Sequence, residues 1–153
     1  MKNSHLLLTA YEAWNRDDCE AWLELLHPDI EIRTSGVFPD LAPDYRGHAR
    51  AAKFWRQLRE PWEPFRIECE RVEDGDDWAA AAIRFRARGR DSQVEVDMRF
   101  GNAIRVRDGL ATELVNRPSL DEARDALSEE QPAADRPARS PTGEQAGSRG
   151  SPG

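Results

Sequence analysis

Leu7, Tyr11 and Trp14 recur at i, i+4 and i+7, a spacing that predicts an amphipathic helix over 4–15 with a single apolar stripe. Asn15-Arg16-Asp17 interrupts it. Asp17 followed by Glu20 has the spacing of a capping box, so a second helix is expected, with Trp22, Leu25 and Leu26 inward and His27-Pro28 at its end. Ile30 and Ile32 then alternate with Glu31 and Arg33, the period of two of a half-buried strand running toward Gly36. The stretch from Phe38 to Asp44 contains Pro39 and Pro43 and is expected to cross the surface as a loop. Gly47 opens a third helix, in which Ala51, Phe54, Trp55 and Leu58 share a side, and Pro61 and Pro64 stop it.

Past Phe65 the period changes to two. Strands are predicted over 65–73, 78–89, 94–107 and 110–117, separated by the turn signals Asp74-Gly75-Asp76 and Asp108-Gly109, which together make an antiparallel meander. Ser119-Leu120-Asp121-Glu122 is a further capping box and starts a short helix reaching Leu127. Helices first and antiparallel strands after them is the α+β order, with the helices gathered on one face of the sheet. From Ser128 onward no aromatic occurs and no apolar side chain larger than alanine, while prolines and glycines break every periodic pattern. Such a stretch cannot repay the entropy of ordering, so the chain divides into a folded domain over 1–127 and a disordered tail over 128–153.

The hairpin between strands 78–89 and 94–107 can be aligned by its charges. With Gly89 facing Val94, Arg88 lies opposite Glu95 and Arg86 opposite Asp97, while Ala87 meets Val96, Phe85 meets Met98 and Ile83 meets Phe100. One face is apolar. The other is a charged row that faces solvent or a partner subunit, in which Arg84 opposite Arg99 is the one repulsive pair. The apolar row carries a polar exception, Asn102. A two-residue Asp108-Gly109 turn pairs Ile104 with Glu113 and Asn102 with Val115, which would place a carboxylate beside an amide on the interior face, unless a bulge turns Glu113 away. A carboxylate in an apolar hollow, with its pKa raised, is what general acid/base work at neutral pH needs.

Composition narrows the function. The 153 residues suit one domain, and a net charge of −7 disfavours nucleic acid as a partner. No apolar run approaches a membrane span, and neither the apolar segment nor the cleavage site of a secretory signal is present, so a soluble, cytoplasmic protein is expected. Cys19 and Cys69 are read as free thiols. No phosphate-binding glycine loop, nucleophile elbow or zinc-binding helix motif occurs, and His5, His27 and His48 share no ligand spacing, so neither metal nor cofactor is expected. Trp14, Trp22, Tyr45, Trp55 and Trp62 are at helical spacing more often core, but the same residues would line a cavity between helix and sheet, with Tyr45 at the mouth and its hydroxyl free for a ligand.

The succession YEAWNRDD, AWLELLHPDIEI, FPDLAPDYRGHARAAKFW, REPWEPFRIE, VEVDMRF and RDGL resembles a SnoaL-like domain of the nuclear transport factor 2-like superfamily, over about residues 6–127. The resemblance implies a conical roll: a strongly curved, mixed, mainly antiparallel sheet wrapped around about three N-terminal helices, with a pocket between them and frequent homodimers packed through the sheet. Ketosteroid isomerases, limonene epoxide hydrolases and polyketide cyclases share it, as do binding and scaffolding domains without chemistry. Asn102 stands where a pocket carboxylate of the isomerases is expected, and Arg33-Thr34-Ser35 stands where their base would lie. The Arg-x-Asp of the hydrolases is missing, since Asp97-Met98-Arg99 runs the other way. For a cyclase-like acid/base the offers are Glu113 and Asp97. The expectation is a pocket for a small hydrophobic or carbonyl-containing molecule, lined by Trp14, Tyr45, Trp55, Met98, Phe100 and Asn102, in an isomerase, cyclase or hydrolase. The alternative is a non-catalytic module that dimerises through the charged row.

Overall fold

A computed structural model describes residues 2–34, 37–38 and 41–129. Helix α1 (Asn3–Asn15) buries Leu7, Tyr11 and Trp14, the predicted stripe, and its start is tied down from afar: Asp74 accepts from the Ser4 amide at 2.7 Å, and Asn3 donates to the Gly75 carbonyl at 3.0 Å. Helix α2 (Cys19–Leu23) is shorter than expected and is capped one residue later. Asp17 takes a left-handed conformation, φ 59°, and Asp18 caps instead, accepting from the Ala21 amide at 3.1 Å. Leu26, expected on the helix, already belongs to strand β1 (Leu26–Arg33), with Pro28 accommodated in an irregular stretch between Leu26 and Glu31.

The loop expected up to Asp44 gives way to a three-residue strand, β2 (Asp44–Arg46), which pairs with β1. Helix α3 (Gly47–Arg59) buries Ala51, Phe54 and Trp55; Gly47 opens it at φ 81°, where a side chain would be strained. Strands β3 (Trp62–Asp74), β4 (Trp78–Gly89), β5 (Glu95–Arg107) and β6 (Leu110–Arg117) form the predicted meander. The sheet order is β2-β1-β6-β5-β4-β3, antiparallel throughout except where β1 lies parallel to β6. The six strands make a curved, unclosed sheet.

Both faces of the sheet are covered in part. α1, α2 and α3 pack into one face over the main core, where Trp14 stacks on Trp55 with ring centroids 3.9 Å apart. On the other face α4 (Leu120–Glu129) lies over β4, β5 and β6 and builds a second, small-residue core from Ala80, Ala103, Val115, Ala123 and Leu127. The predicted cap holds: the Glu122 amide donates to Ser119 Oγ at 3.1 Å. The helix crosses so closely that a Cβ on Gly101 would overlap the Ser119 carbonyl. The expected tail lies, from residue 130 on, outside the described residues.

The β4–β5 register is the one predicted from charge, from Arg88 opposite Glu95 to Ile83 opposite Phe100. The β5–β6 register is not. Arg107 pairs with Leu110 and Val106 with Ala111, but Thr112 is then skipped as a bulge, so that Arg105 meets Glu113, Ile104 meets Leu114 and Asn102 meets Asn116. One additional residue exchanges the two faces of everything beyond it.

Candidate functional site

The sheet curves around an apolar hollow of about 50 Å³. α1 supplies Leu7, Tyr11 and Trp14 to its wall, Trp22 stands at one end, and α3 gives Phe54 and Leu58. The strands contribute Ile83, Phe100, Asn102, Ile104, Leu114 and Asn116. On the solvent side the wall is made of Leu6, Ala10, Leu25, Phe38 and Leu58, all half-buried. No Asp, Glu, His, Cys, Lys or Arg among the described residues lines the hollow.

Its polar features form one row. Tyr11 Oη donates to Asn102 Oδ1 at 2.7 Å, and Asn102 Nδ2 donates to Asn116 Oδ1 at 2.8 Å and to the Val115 carbonyl at 3.4 Å. Burial, with a smaller contribution from Cys69, pushes the Tyr11 hydroxyl well above its ordinary pKa, so it is a neutral donor at physiological pH. The row therefore runs from a hydroxyl through one amide to another, and Asn116 Nδ2 is left with no acceptor among the described residues. The buried indole Nε1 of Trp22 also lacks an acceptor among the described residues. Two N–H donors that belong to lining side chains thus make no hydrogen bond to a described residue.

Of the expected site residues, Trp14, Phe100 and Asn102 come together in the hollow. Trp55 sits outside the lining, against Trp14. Met98 lies on the same apolar row but nearer the hairpin tip, opposite Phe85 and half-buried. Tyr45 is not at a mouth with a free hydroxyl: it is buried, and its Oη donates to Gln57 Oε1 at 2.7 Å and accepts from the Ala42 amide at 3.1 Å. The two carboxylate candidates lie on the opposite face of the sheet. Asp97 is exposed and held bidentately by Arg84 at 2.9 and 2.7 Å, which keeps its carboxyl below the ordinary aspartate range, the reverse of a poised base.

Glu113 is turned out of the hollow by the Thr112 bulge, though not into solvent. It is 4% exposed and clamped between Arg33 at 2.8 Å and Arg105 at 2.7 Å. Arg105 also reaches Asp77 at 2.9 Å and the Leu127 carbonyl at 2.7 Å, so this buried ion network fastens α4 to the sheet. Trp22, expected among the aromatics of a helix–sheet cavity, does line the hollow, while Tyr11 and Asn116 are the lining polar residues that sequence reasoning missed. Tyr11 is readable as the one polar tip on the α1 stripe, whereas Asn116 was hidden behind the bulge.

A curved sheet closed over by three helices, around an apolar hollow with one amide-bearing wall, is the fold of solved ketosteroid isomerase-like and nuclear transport factor 2-like proteins. Within it, the chain belongs to the SnoaL-like domain family, which it matches over residues 7–114. Among solved structures, it is similar to a Catenulispora acidiphila protein of ketosteroid isomerase-like fold in complex with trimethylamine, at 13% identity over 86% of this chain and 97% of that one, TM-score 0.66. It is also similar to a Mycobacterium tuberculosis protein in complex with estradiol-17beta-hemisuccinate, at 19% identity over 79% and 97% of the two chains, TM-score 0.67. A putative polyketide cyclase from Xanthomonas campestris pv. campestris matches at 22% identity over 78% and 92%, TM-score 0.61. At such identities the likeness is one of fold. No curated protein shows a significant match to the chain.

Proposed function

We propose that this domain binds a small, largely apolar molecule through a hydrogen-bond acceptor, a carbonyl oxygen being the simplest, in the hollow between α1, α3 and the sheet. The observation that carries the reading is the buried, unpartnered donor Trp22 Nε1 on a side chain that lines an otherwise apolar space, with Asn116 Nδ2 as a second lining donor that makes no hydrogen bond to a described residue. A buried donor without a partner costs about 1–3 kcal/mol, and an acceptor-bearing ligand recovers that free energy, whereas a pure hydrocarbon does not. That similar folds have been crystallised with estradiol-17beta-hemisuccinate and with trimethylamine supports small-molecule binding as the class of function. Recognition rather than proton transfer is favoured here, because the lining offers amides, an indole and a neutral phenol in place of a carboxylate.

The volume bounds the ligand. About 50 Å³ is far below the roughly 300–1,000 Å³ of sites for drug-sized molecules. Only a group of a few heavy atoms fits without rearrangement, and anything larger has to displace the half-buried Leu6, Phe38 and Leu58. The test is a tryptophan-fluorescence and NMR titration with cyclohexanone and with methylenecyclohexane, which share a shape and differ in the acceptor. The ketone should bind about tenfold tighter to the wild type, consistent with one hydrogen bond, and the preference should disappear in Asn116→Ala. Equal binding of both probes, or of neither, would refute the reading.

A further inference from the structure

A second concavity, of about 300 Å³, opens where the end of α3 meets the α1–α2 turn and the β4–β5 turn. Three arginines line it, Arg56, Arg59 and Arg90, together with the carboxylates of Asp17 and Glu60. Most arginines on the sheet have carboxylate partners, as Arg33 and Arg105 have Glu113, Arg84 has Asp97, Arg86 has Glu68, and Arg99 has Glu70. In this cleft, among the described residues, only Arg59 has one, the loosely placed Asp17. Arg56 has no carboxylate within ion-pair distance among the described residues, and Arg90 gives its Nε to a main-chain carbonyl, that of Glu60, at 2.8 Å.

Arg59 is the unusual member. It is 7% exposed, yet its nearest carboxylate, Asp17, is 3.9 Å from Nε. Nε donates to the Trp14 carbonyl at 2.9 Å and the guanidinium carbon lies 4.5 Å from the centre of the Phe65 ring. Neither Nη group hydrogen-bonds to a described residue, and neither is sealed from solvent without a partner. A cation so deeply placed is ordinarily matched by an anion. The ring and the carbonyl hold the planar group in place but supply no full negative charge, and Asp17, largely exposed and 3.9 Å away, is a loose partner. A chain of net charge −7 has nonetheless gathered three guanidinia around one cleft, against two lining carboxylates of which only Asp17 pairs with one of them.

We infer that this cleft is a binding site for an oxyanion, a carboxylate or phosphate group carried by a small molecule, separate from the apolar hollow. Guanidinium forks match the paired oxygens of both groups, and the Nη atoms of Arg59 are the fixed element, with Arg56 and Arg90 closing from the exposed side. The cleft is larger than one inorganic anion needs, so the anionic group heads a longer ligand that runs along Trp55. Asp17 at the rim is the built-in competitor, since its carboxylate repels the ligand from the same guanidinium.

The experiment titrates the full chain with inorganic phosphate and, separately, with succinate, ionic strength being held constant with sodium chloride. Trp55 fluorescence and arginine side-chain NMR signals report binding. Saturable binding of either anion is expected; phosphate alone assigns a phosphate group, and succinate alone assigns a carboxylate. Arg56→Gln and Arg90→Gln alter exposed side chains and should each weaken binding by about tenfold. Asp17→Asn retains a residue type that tolerates φ 59° and should tighten binding by about threefold. The proposal is overturned by a response that chloride reproduces, or by affinities unchanged in both the Arg56→Gln/Arg90→Gln double variant and Asp17→Asn.

Discussion

Two acids on the same face of the sheet illustrate how surroundings assign a role to a side chain. Asp97 and Glu113 are both carboxylates on long strands, and both face away from the hollow. Asp97 is on the open surface, where a bidentate arginine stabilises its charged form. Glu113 is buried, and there the same chemistry becomes structural: two guanidinia share one carboxylate, and one of them also holds the end of α4. Glu113→Gln should therefore destabilise the domain by about 3–5 kcal/mol, the cost of breaking a buried pair from one side, while leaving ketone affinity in the folded protein unchanged. Urea denaturation beside the cyclohexanone titration separates the two quantities. A stable variant that has lost binding would return Glu113 to the site.

At the scale of elements, periodicity was read correctly wherever a strand or helix ran uninterrupted. The β4–β5 hairpin was legible down to individual partners because apolar and charged rows alternate without a break from Ile83 to Arg88, and its short turn fixes the index sum. The α1 and α3 stripes were legible for the same reason. What could not be seen was geometry that leaves no periodic trace: the left-handed Asp17 that moves a cap by one residue, the three-residue β2, and the Thr112 bulge. The bulge mattered most, because it selected Asn116 over Val115 as the partner of Asn102 and removed Glu113 from the hollow. Deleting Thr112 should force a strained turn or a slip of 113–117 that strips Glu113 of Arg33 and Arg105. Either outcome lowers the thermal midpoint by ten degrees or more, on the order of 3 kcal/mol or above for a domain of this size. A melting curve that overlays the wild type would mean that some other feature sets the register.

Taken whole, the described residues form a sheet with two cores, an aromatic one inside the curve and an alanine-rich one under α4, and with an open charged surface across β3, β4 and β5. Arg84–Asp97, Arg86–Glu68 and Arg99–Glu70 satisfy that surface within a single chain, so charge alone does not demand a second copy there. The pH response follows from the direction of the Asp97 shift. Its folded-state pKa lies below the unfolded value of about 3.9, so the contribution of the pair is fully present above that value and disappears as the pH falls through the folded one. Carbon-detected NMR should show the Asp97 carboxyl titrating below that figure, and in 1 M salt the shift should shrink because the pair is exposed. A titration at or above the ordinary value would remove this pair as a source of acid sensitivity.

The irregularity at Thr112 also bears on how a lineage could move between holding a molecule and transforming it. In this strand an acid and two amide- or alkyl-bearing neighbours sit one step apart, and the parity of the chain decides which of them meets the guest. Losing or gaining a single codon would be enough to exchange them, with no new chemical group having to evolve.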